Sequence, residues 1–298
     1  MEKVIINGKV YGYVVNYKSD TSLRNSFNRL TRKIYHFDFE GWYQNGYWSD
    51  RYIPYSIADG TNIVANVSVN VIDFIVGGMK RTSIQIGTVM TDEDYRHQGL
   101  NRFLLEKVLA EWRGKCDLIY LFANDSVLNF YPKFGFKPAE EYQHSLEIKS
   151  GETTANFIQL NMSDKEDEKF LYQQVKQSTQ FSQLSMDDNA SLVMFYCTSF
   201  MSEDVYFSKE LAVIAIATYD DHILYIKDIF CEKEIAIKDV ISALTNEKIT
   251  RVVLGFTPKE RDSFDENIFQ QDDALFVLDD KWGLFKNSKM MFPILSHA

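Results

Sequence analysis

Apolar residues along this chain follow either helical or alternating spacing, and short polar turns separate the stretches. Asn7-Gly8 suits a type I′ turn and predicts a β-hairpin over residues 4–17. Leu23, Phe27 and Leu30 share one face of a predicted helix that ends near Tyr35. Turn dipeptides at 59–60 and 77–78 then separate three predicted strands over residues 52–58, 62–76 and 81–90.

The pattern changes after Met90, where a polar segment leads into a predicted helix over residues 100–112. A strand over 118–122, a short helix over 126–133 and a strand reaching residue 148 follow. Strands that alternate with helices in this order predict an α/β unit with a mostly open sheet. In such a sheet, ligands bind beyond the carboxyl ends of the strands.

A charged stretch at residues 163–169 predicts a domain boundary near residue 160. Beyond it the sequence predicts helices over 164–177, 187–200 and 235–244, with strands over 211–218, 222–230, 251–256, 275–278 and 290–295. This order repeats that of the first half, which predicts a diverged internal duplication with domains at 1–160 and 161–298. The second strand-to-helix connection, near Cys231, is short and contains no glycine.

Composition and charge narrow the classes of function. The chain has 298 residues and a formal net charge of −10, so nucleic acid is not expected as a partner. Three cysteines without CxxC spacing predict reduced thiols in a cytoplasmic protein, and five isolated histidines predict no metal site. The apolar runs are too short to cross a membrane, so no membrane association is expected.

The polar segment before the 100–112 helix has the features of an anion site. Backbone N–H groups at a helix start lack intrahelical partners, and the helix dipole adds partial positive charge there. Gly99 permits positive φ and close approach of a phosphate, while Arg96 and Arg102 add positive charge. The alternative is an ordinary polar loop that precedes a helix.

Two motifs here resemble the GNAT superfamily of acyl-CoA-dependent N-acetyltransferases. Arg96 and Gly99 match its Arg/Gln-x-x-Gly-x-Gly/Ala signature, although Asn101 replaces the last Gly or Ala. Residues 124–136 resemble its Asn…FYxKxGF element, one strand later. The resemblance covers residues 50–148 and implies a GNAT-like mixed central sheet flanked by helices, followed by a second, diverged GNAT-like α/β domain without the phosphate loop. The two-domain length also resembles the enhanced-intracellular-survival type of aminoglycoside acetyltransferase.

The resemblance implies an acetyl-CoA site whose pantetheine lies against the end of the central strand. The expected CoA-binding residues are Thr88, Val89, Met90, Arg96, His97, Gln98, Gly99, Leu100, Asn101, Asn124 and Asn129. Asn124 has the alternative of capping the next helix, and Asn129 that of a solvated helix residue. No metal is expected.

The mechanism that this resemblance implies needs an acid that protonates the departing thiolate and a base that deprotonates the amine. Tyr131 is the candidate acid, with a core aromatic as the alternative. The central strand carries no carboxylate, so the base is open between water, an aromatic-segment residue, another acid and the C-terminal carboxylate of Ala298. A solvated terminus is the ordinary alternative for Ala298.

An aromatic segment follows the first helix, and by resemblance it covers the acceptor side. Its candidate substrate residues are Trp42, Tyr43, Tyr47 and Trp48, with core packing as the alternative. The function expected is transfer of an acetyl group from acetyl-CoA to a small amine by direct attack in a ternary complex. The alternative is a non-catalytic acyl-CoA-binding or regulatory module.

Overall fold

The computed structural model describes residues 1–148 and 156–297, and within them two mixed sheets organise the chain. The strands are β1 (Glu2–Ile6), β2 (Lys9–Val15), β3 (Tyr52–Asp59), β4 (Asn62–Val76), β5 (Met79–Thr91), β6 (Leu118–Ala123), β7 (Lys137–Pro138), β8 (Tyr142–Glu147), β9 (Ile158–Gln159), β10 (Leu184–Asp187), β11 (Val205–Ser208), β12 (Val213–Asp220), β13 (Ile223–Cys231), β14 (Arg251–Leu254), β15 (Asp265–Ile268) and β16 (Ala274–Leu278). The helices are α1 (Thr21–Tyr35), α2 (Glu40–Gln44), α3 (Leu100–Trp112), α4 (Lys165–Gln177), α5 (Ala190–Cys197), α6 (Ile237–Leu244) and α7 (Leu284–Asn287).

The first sheet has the strand order β1-β2-β3-β4-β5-β6-β16-β7, and β10 also pairs with β4. Only three residue pairs join β5 to its parallel neighbour β6, and the last of them is Gln85 with Tyr120. Both strands continue beyond that pair, β5 to Thr91 and β6 to Ala123. The two strands therefore separate toward their carboxyl ends.

The second sheet has the order β15-β8-β14-β13-β12-β11-β9, and its parallel pair is β13 with β14. In both sheets the long strand of the parallel pair also carries a register shift against its antiparallel neighbour, at Asn66/Ser68 on β4 and at Ile216/Ala217 on β12. The same arrangement thus occurs twice, as an internal duplication requires.

The sheets exchange strands across the domain boundary predicted near residue 160. Strand β8 lies before that boundary but pairs with β14 and β15 of the second sheet. Conversely, β16 pairs with β6, and β10 pairs with β4. Each sheet is therefore completed by strands from the other half of the sequence.

Most of the predicted elements are present, with two corrections. The helix predicted over 126–133 is replaced by two 3₁₀ turns, Asp125–Val127 and Tyr131–Phe134, and Pro132 lies in the first turn of the second. Residues 290–295 form no strand, and a 3₁₀ turn begins at Ile294. Their apolar pattern reflects burial instead, because Phe292 stacks on Tyr120 with ring centroids 3.9 Å apart.

Apolar side chains pack on both faces of the first sheet. Helix α3 packs on one face through buried residues that include Leu104 and Val108. Helix α1 and the aromatic residues that follow it pack on the other face, together with Leu192 and Phe195 of α5. This packing places the start of α3 and the end of α1 on either side of the separated strand ends.

Candidate active site

A cavity of about 1040 Å³ lies where β5 and β6 separate. The carboxyl ends of both strands, the 96–102 turn and the Phe130-Tyr131 pair line it. Because the β5–β6 pairing stops at Gln85 and Tyr120, the strand ends leave an open cleft instead of a continuous sheet. The cleft is where the sequence predicts a ligand, beyond the carboxyl ends of the strands.

A β-bulge shapes one wall of this cavity. Thr88 has φ +47°, which is unusual for a β-branched residue, and lies where β5 carries one more residue than β4. The Nδ2 of Asn66 donates to the Thr88 carbonyl at 2.8 Å, and the Tyr52 hydroxyl lies 2.7 Å from Thr88 Oγ1. Two buried side chains therefore hold the bulge in place.

The residues predicted on the strand end divide into two groups. Thr88 and Val89 line the cavity, and the Val89 carbonyl accepts a hydrogen bond from the Tyr35 hydroxyl at 2.8 Å. Met90 is only 2% exposed, and its sulfur lies 3.8 Å from Thr31 Oγ1. Met90 thus belongs to the core beneath α1 and does not line the cavity.

The 96–102 turn has the conformation of an anion cradle. His97 and Gly99 both have positive φ, +61° and +80°, and Gly99 is the N-cap of α3 without a side-chain cap. The backbone donors of the first helical turn therefore receive no side-chain acceptor from their N-cap residue. Arg96 and Arg102 line the same end of the cavity, where their charge adds to that of the helix N-terminus.

Gln98 lies in this turn but does not line the cavity. Its backbone carbonyl accepts from Asn7 Nδ2 at 2.8 Å, and its Oε1 accepts from the Tyr11 hydroxyl at 2.7 Å. The Lys9 ammonium donates to the same Oε1 at 3.2 Å. The β1–β2 hairpin thus holds the turn through hydrogen bonds to the backbone carbonyl and the side chain of Gln98.

Leu100 and Asn101 both line the cavity at the start of α3. The Asn101 Oδ1 is buried and has no hydrogen-bond partner in the described part of the chain. An unpaired buried carbonyl oxygen is costly, so a donor supplied by a ligand would stabilise this end of the cavity.

Tyr131 also lines the cavity and is 4% exposed. Burial is the main reason that its hydroxyl pKa is raised, and the nearby Tyr35 and Asp273 raise it further. Its ring contacts Phe130, Phe136 and Phe276. Tyr131 is therefore both a core aromatic and a cavity residue, held as a neutral phenol.

The two asparagines of the second motif differ in position. Asn124 lines the cavity, and its Oδ1 accepts from Ser126 N at 3.1 Å, so it also caps the first 3₁₀ turn. Asn129 is exposed and lies outside the residues that line the cavity.

Two carboxylates that sequence reasoning missed also line the cavity. Asp272 and Asp273 precede β16, whose Ala274 pairs with Ala123 at the end of β6. Burial raises the pKa of Asp273, and the negative charges of Asp272 and Asp125 raise it further. Two adjacent aspartates before a predicted strand are a signal that the sequence contains. The sequence does not show that this strand pairs with β6, about 150 residues earlier in the chain.

Glu141 anchors the segment that carries these carboxylates. It is 3% exposed, and it accepts from Gln271 Nε2 at 2.8 Å and from Phe292 N at 2.7 Å. Burial is the largest influence and raises the Glu141 pKa to about 7. Ala298 lies outside the described residues, but His297 before it lines the cavity and stacks on Phe122 at 3.9 Å.

The four aromatic residues predicted on the acceptor side lie near the cavity without lining it. Trp48 is buried and stacks on Trp42 with centroids 5.7 Å apart. Tyr43 lies under the Arg24 guanidinium at 3.8 Å, and the Tyr47 ring contacts Tyr172. Trp42 alone among the four lines a second, smaller pocket beside the cavity.

Neither a metal cluster nor a membrane-spanning helix is found in residues 1–148 and 156–297. Three or more His, Cys, Asp or Glu side chains nowhere come together there in a way that could hold a metal ion. No helix in those ranges combines the length and apolar character that a membrane crossing requires.

Comparisons with known proteins agree with this geometry. Residues 57–138 match the Acetyltransferase (GNAT) domain, while no curated protein matches the chain. A GCN5-related N-acetyltransferase from Kribbella flavida shares 14% identity over 90% of this chain and 72% of its own, with a TM-score of 0.55. Eis1 from Mycobacterium abscessus shares 12% identity over 89% of this chain and 73% of its own, with a TM-score of 0.55.

A GCN5-related N-acetyltransferase from Anabaena variabilis shares 14% identity over 89% of this chain and 72% of its own, with a TM-score of 0.54. At these identities the structures show a common fold across most of the chain, which confirms the prediction of two GNAT-like α/β units. The predicted similarity of fold to the enhanced-intracellular-survival type is confirmed in the same way. The chain therefore shares the fold of these N-acetyltransferases over most of its length, and its residues 57–138 match the Acetyltransferase (GNAT) domain.

Proposed function

We propose that this protein transfers an acetyl group from acetyl-CoA to the nitrogen of a small amine by direct attack in a ternary complex. The observation that carries the proposal is a single cavity lined by two chemically distinct groups of residues. One group is the uncapped start of α3 with Arg96 and Arg102, and the other is Tyr131 with Asp273. A thioester donor that also carries a diphosphate needs both groups.

The 96–102 turn would hold the diphosphate of acetyl-CoA. Gly99 at φ +80° presents the first N–H groups of α3 to an anion, and the flanking arginines add charge. Thr88 and Val89 on β5, with Asn124 after β6, border the path from that turn to Tyr131. Acetyl-CoA supplies an acyl group already activated as a thioester.

Tyr131 would donate a proton to the departing thiolate. Burial keeps its phenol protonated at neutral pH, because the charged form is disfavoured in the desolvated site. A phenol held neutral until sulfur leaves is suited to general-acid catalysis.

Asp273 would accept the proton of the incoming amine. Alkyl amines are ammonium ions at neutral pH, so the carboxylates of Asp272 and Asp273 would first attract the acceptor. Partial burial and neighbouring negative charges raise the Asp273 pKa, which makes the carboxylate a better base than an ordinary aspartate. Ala298, one residue beyond His297, stays an alternative base.

The division into a catalytic domain at 1–160 and a degenerate second domain at 161–298 is likewise a proposal. Strand β16 and the preceding carboxylates extend from the second region into the first sheet. The second region would therefore complete the site besides stabilising it.

Release of free thiol from acetyl-CoA, measured across a panel of primary amines and polyamines, tests the proposal. We expect Tyr131→Phe to lower kcat by roughly 100-fold, the usual contribution of a general acid, while CoA affinity stays unchanged. Tyr219→Phe is the matched control, because the Tyr219 hydroxyl donates to Leu244 O in the second sheet. Tight CoA binding without thiol release for any amine would reject catalysis.

That last result would instead support a non-catalytic acyl-CoA-binding or regulatory module. Its structural support is that β5 contributes no carboxylate to the cavity and that Asn101 stands at the last position of the phosphate signature.

A further inference from the structure

A second pocket of about 200 Å³ lies beside the main cavity. Its walls come from two regions that are distant in sequence. Phe39 and Trp42 lie at the start of the chain, whereas Leu192, Phe195 and Phe200 belong to α5 and the turn after it. We call it the aromatic pocket.

The aromatic pocket and the main cavity share wall residues. Phe37, Thr88 and His297 line both spaces, and Thr88 is the residue at the bulge of β5. A molecule with one end beside the bulge therefore has the aromatic pocket within direct reach.

The two regions that form the aromatic pocket pack tightly on each other. Phe39 stacks on Phe195 with centroids 5.2 Å apart and an interplanar angle of 19°. Trp42 meets Phe195 edge-on at 5.5 Å, and Phe37 meets Phe200 edge-on at 5.3 Å. Helix α5 of the second region thus forms a structural wall of this pocket.

Most polar atoms of the aromatic pocket are already paired. The exception is Nε2 of His297, which is buried and has no hydrogen-bond partner within the described residues. The Tyr52 hydroxyl bonds with Thr88 Oγ1, and Trp42 Nε1 donates to Ser191 O at 2.8 Å. The Tyr196 hydroxyl donates to the His297 carbonyl. No Asp, Glu, Lys or Arg is found among the described residues that line it. A charged group placed there would lose its hydration, and His297 Nε2 alone among these wall atoms is free to replace one of its hydrogen bonds.

The size of the aromatic pocket fits a ring. A dry apolar cavity of about 150 Å³ is known to accommodate benzene, so 200 Å³ leaves room for a ring and a short linker.

From these observations we infer that the acceptor is a primary amine bearing an uncharged aromatic or bulky aliphatic group, and that this group occupies the aromatic pocket. The inference rests on the proposed function, and it adds a substrate class to it. The amine nitrogen lies at the bulge, between Tyr131 and the carboxylates, and the apolar group extends past Phe37. Tyr35 lines the cavity together with Asp273, and its ring centroid lies 6.1 Å from that of Phe37. Burial, and then the negative charge of Asp273, raise the pKa of the Tyr35 hydroxyl.

Acetyl transfer to 2-phenylethylamine and to ethylamine, which carry the same amine, tests the inference. Burial of a phenyl group predicts a kcat/KM ratio of roughly 10–100 in favour of 2-phenylethylamine. Leu192→Trp fills the aromatic pocket and is expected to bring this ratio close to 1 while ethylamine turnover persists.

A second variant covers the case in which Leu192→Trp does not fold. Phe200 is 57% exposed, so Phe200→Ala removes part of the wall without opening the core, and we expect the ratio to fall about fivefold. Ile268→Ala is the matched control, an apolar residue 54% exposed that lines neither space, and it should leave the ratio unchanged.

Two other results would overturn the inference. If spermidine or kanamycin is acetylated but 2-phenylethylamine is no better than ethylamine, the acceptor class is wrong and the acetyltransferase proposal stands. If hexanoyl-CoA is preferred over acetyl-CoA with ethylamine, and Leu192→Trp abolishes that preference, the pocket holds the donor chain.

If no amine is turned over, the proposed function fails, and calorimetry with 2-phenylethylamine on the CoA-loaded protein decides the inference separately. Binding that Leu192→Trp removes would support the pocket, and absence of binding would reject it.

Discussion

The two parallel strand pairs of this protein share an architecture and differ in what lies between the strands. In the first sheet, pairing stops after Gln85 and Tyr120, and a cavity of about 1040 Å³ opens. In the second, the last paired residues are Ile226 and Leu254, and the next residue, Gly255, donates from its N–H to the Ile226 carbonyl at 2.8 Å. The second pair therefore has four paired positions where the first has three.

The space beside Gly255 is filled by protein. A Cβ at that position would lie 2.9 Å from both Cα and O of Lys227, the residue at the register shift of β13. The C-terminal segment closes the other side, because Ile294 N donates to the Gly255 carbonyl at 2.8 Å. The helix that follows, α6, has Ala236 as its N-cap in an extended conformation, with no left-handed glycine.

The comparison shows that a ligand cleft in this fold depends on small local choices. The first junction combines a left-handed glycine before the helix with an open cleft. At the second, a close-packed glycine and a covering segment fill the space directly between the strands, and the pocket beside the end of β13 is smaller, about 450 Å³. Duplication of the architecture alone does not duplicate the site.

The largest expected effect concerns Glu141, which joins the two regions. Its raised pKa of about 7 means that the folded state disfavours the ionised form. The free energy of unfolding of the wild type, minus that of Glu141→Gln, should therefore fall by about 3 kcal/mol as the pH rises from about 4.5 through 7. Denaturant unfolding of both proteins across this range measures it, and a pH-independent difference would contradict the buried, hydrogen-bonded placement.

The next effect is expected at Gly99. A valine at φ +80° would be strained by about 1–3 kcal/mol, so Gly99→Val should weaken CoA binding by up to roughly 100-fold as the turn changes conformation. Calorimetric titration with CoA measures it.

Gly114→Val is the matched control for Gly99→Val. Gly114 has φ +83° and open space around it, and it does not line the cavity. Equal CoA affinity in the two variants would show that the turn does not bind the diphosphate.

A smaller effect is expected at Gly255, where β13 and β14 of the second sheet pack closely. Gly255→Ala forces a methyl group against the Lys227 backbone, so it should destabilise the fold by about 2 kcal/mol without weakening CoA binding. Gly41→Ala, whose Cβ would meet nothing within 4 Å, is the control for thermal unfolding. A loss of CoA affinity in Gly255→Ala would mean that the second junction, too, takes part in binding.

The smallest effect concerns the bulge. Asn66→Ala removes the donor to the Thr88 carbonyl, and we expect kcat/KM to fall about tenfold, or about 1.4 kcal/mol. Asn70 lies on the same strand, and its buried Nδ2 has no partner within the described residues, so Asn70→Ala should change kcat/KM less. An equal fall in kcat/KM for Asn66→Ala and Asn70→Ala would mean that the effect comes from a general disturbance of β4 and not from the bulge.

The sequence predicts those elements whose conformation depends on residues close to one another along the chain. The hairpin, the long strands β3–β5, helix α3 and the Gly99 turn all follow from local spacing and turn chemistry, as the structure bears out. It also predicted the repeated order of elements that the two sheets display.

It did not predict what depends on pairing between distant segments. Asp273 reaches the cavity because β16 pairs with β6. The sequence predicts a strand over residues 290–295, where none forms, because burial alone produces the same apolar pattern. Likewise, nothing local distinguishes Trp42, which lines the aromatic pocket, from Trp48, which packs behind it.

A crystal structure of the protein with CoA would show whether the 96–102 turn binds the diphosphate. We expect the diphosphate at the backbone N–H groups of Leu100, Asn101 and Arg102, with the sulfur near Tyr131. Density for the diphosphate at the turn between β13 and α6, or at any other surface away from Gly99, would contradict it.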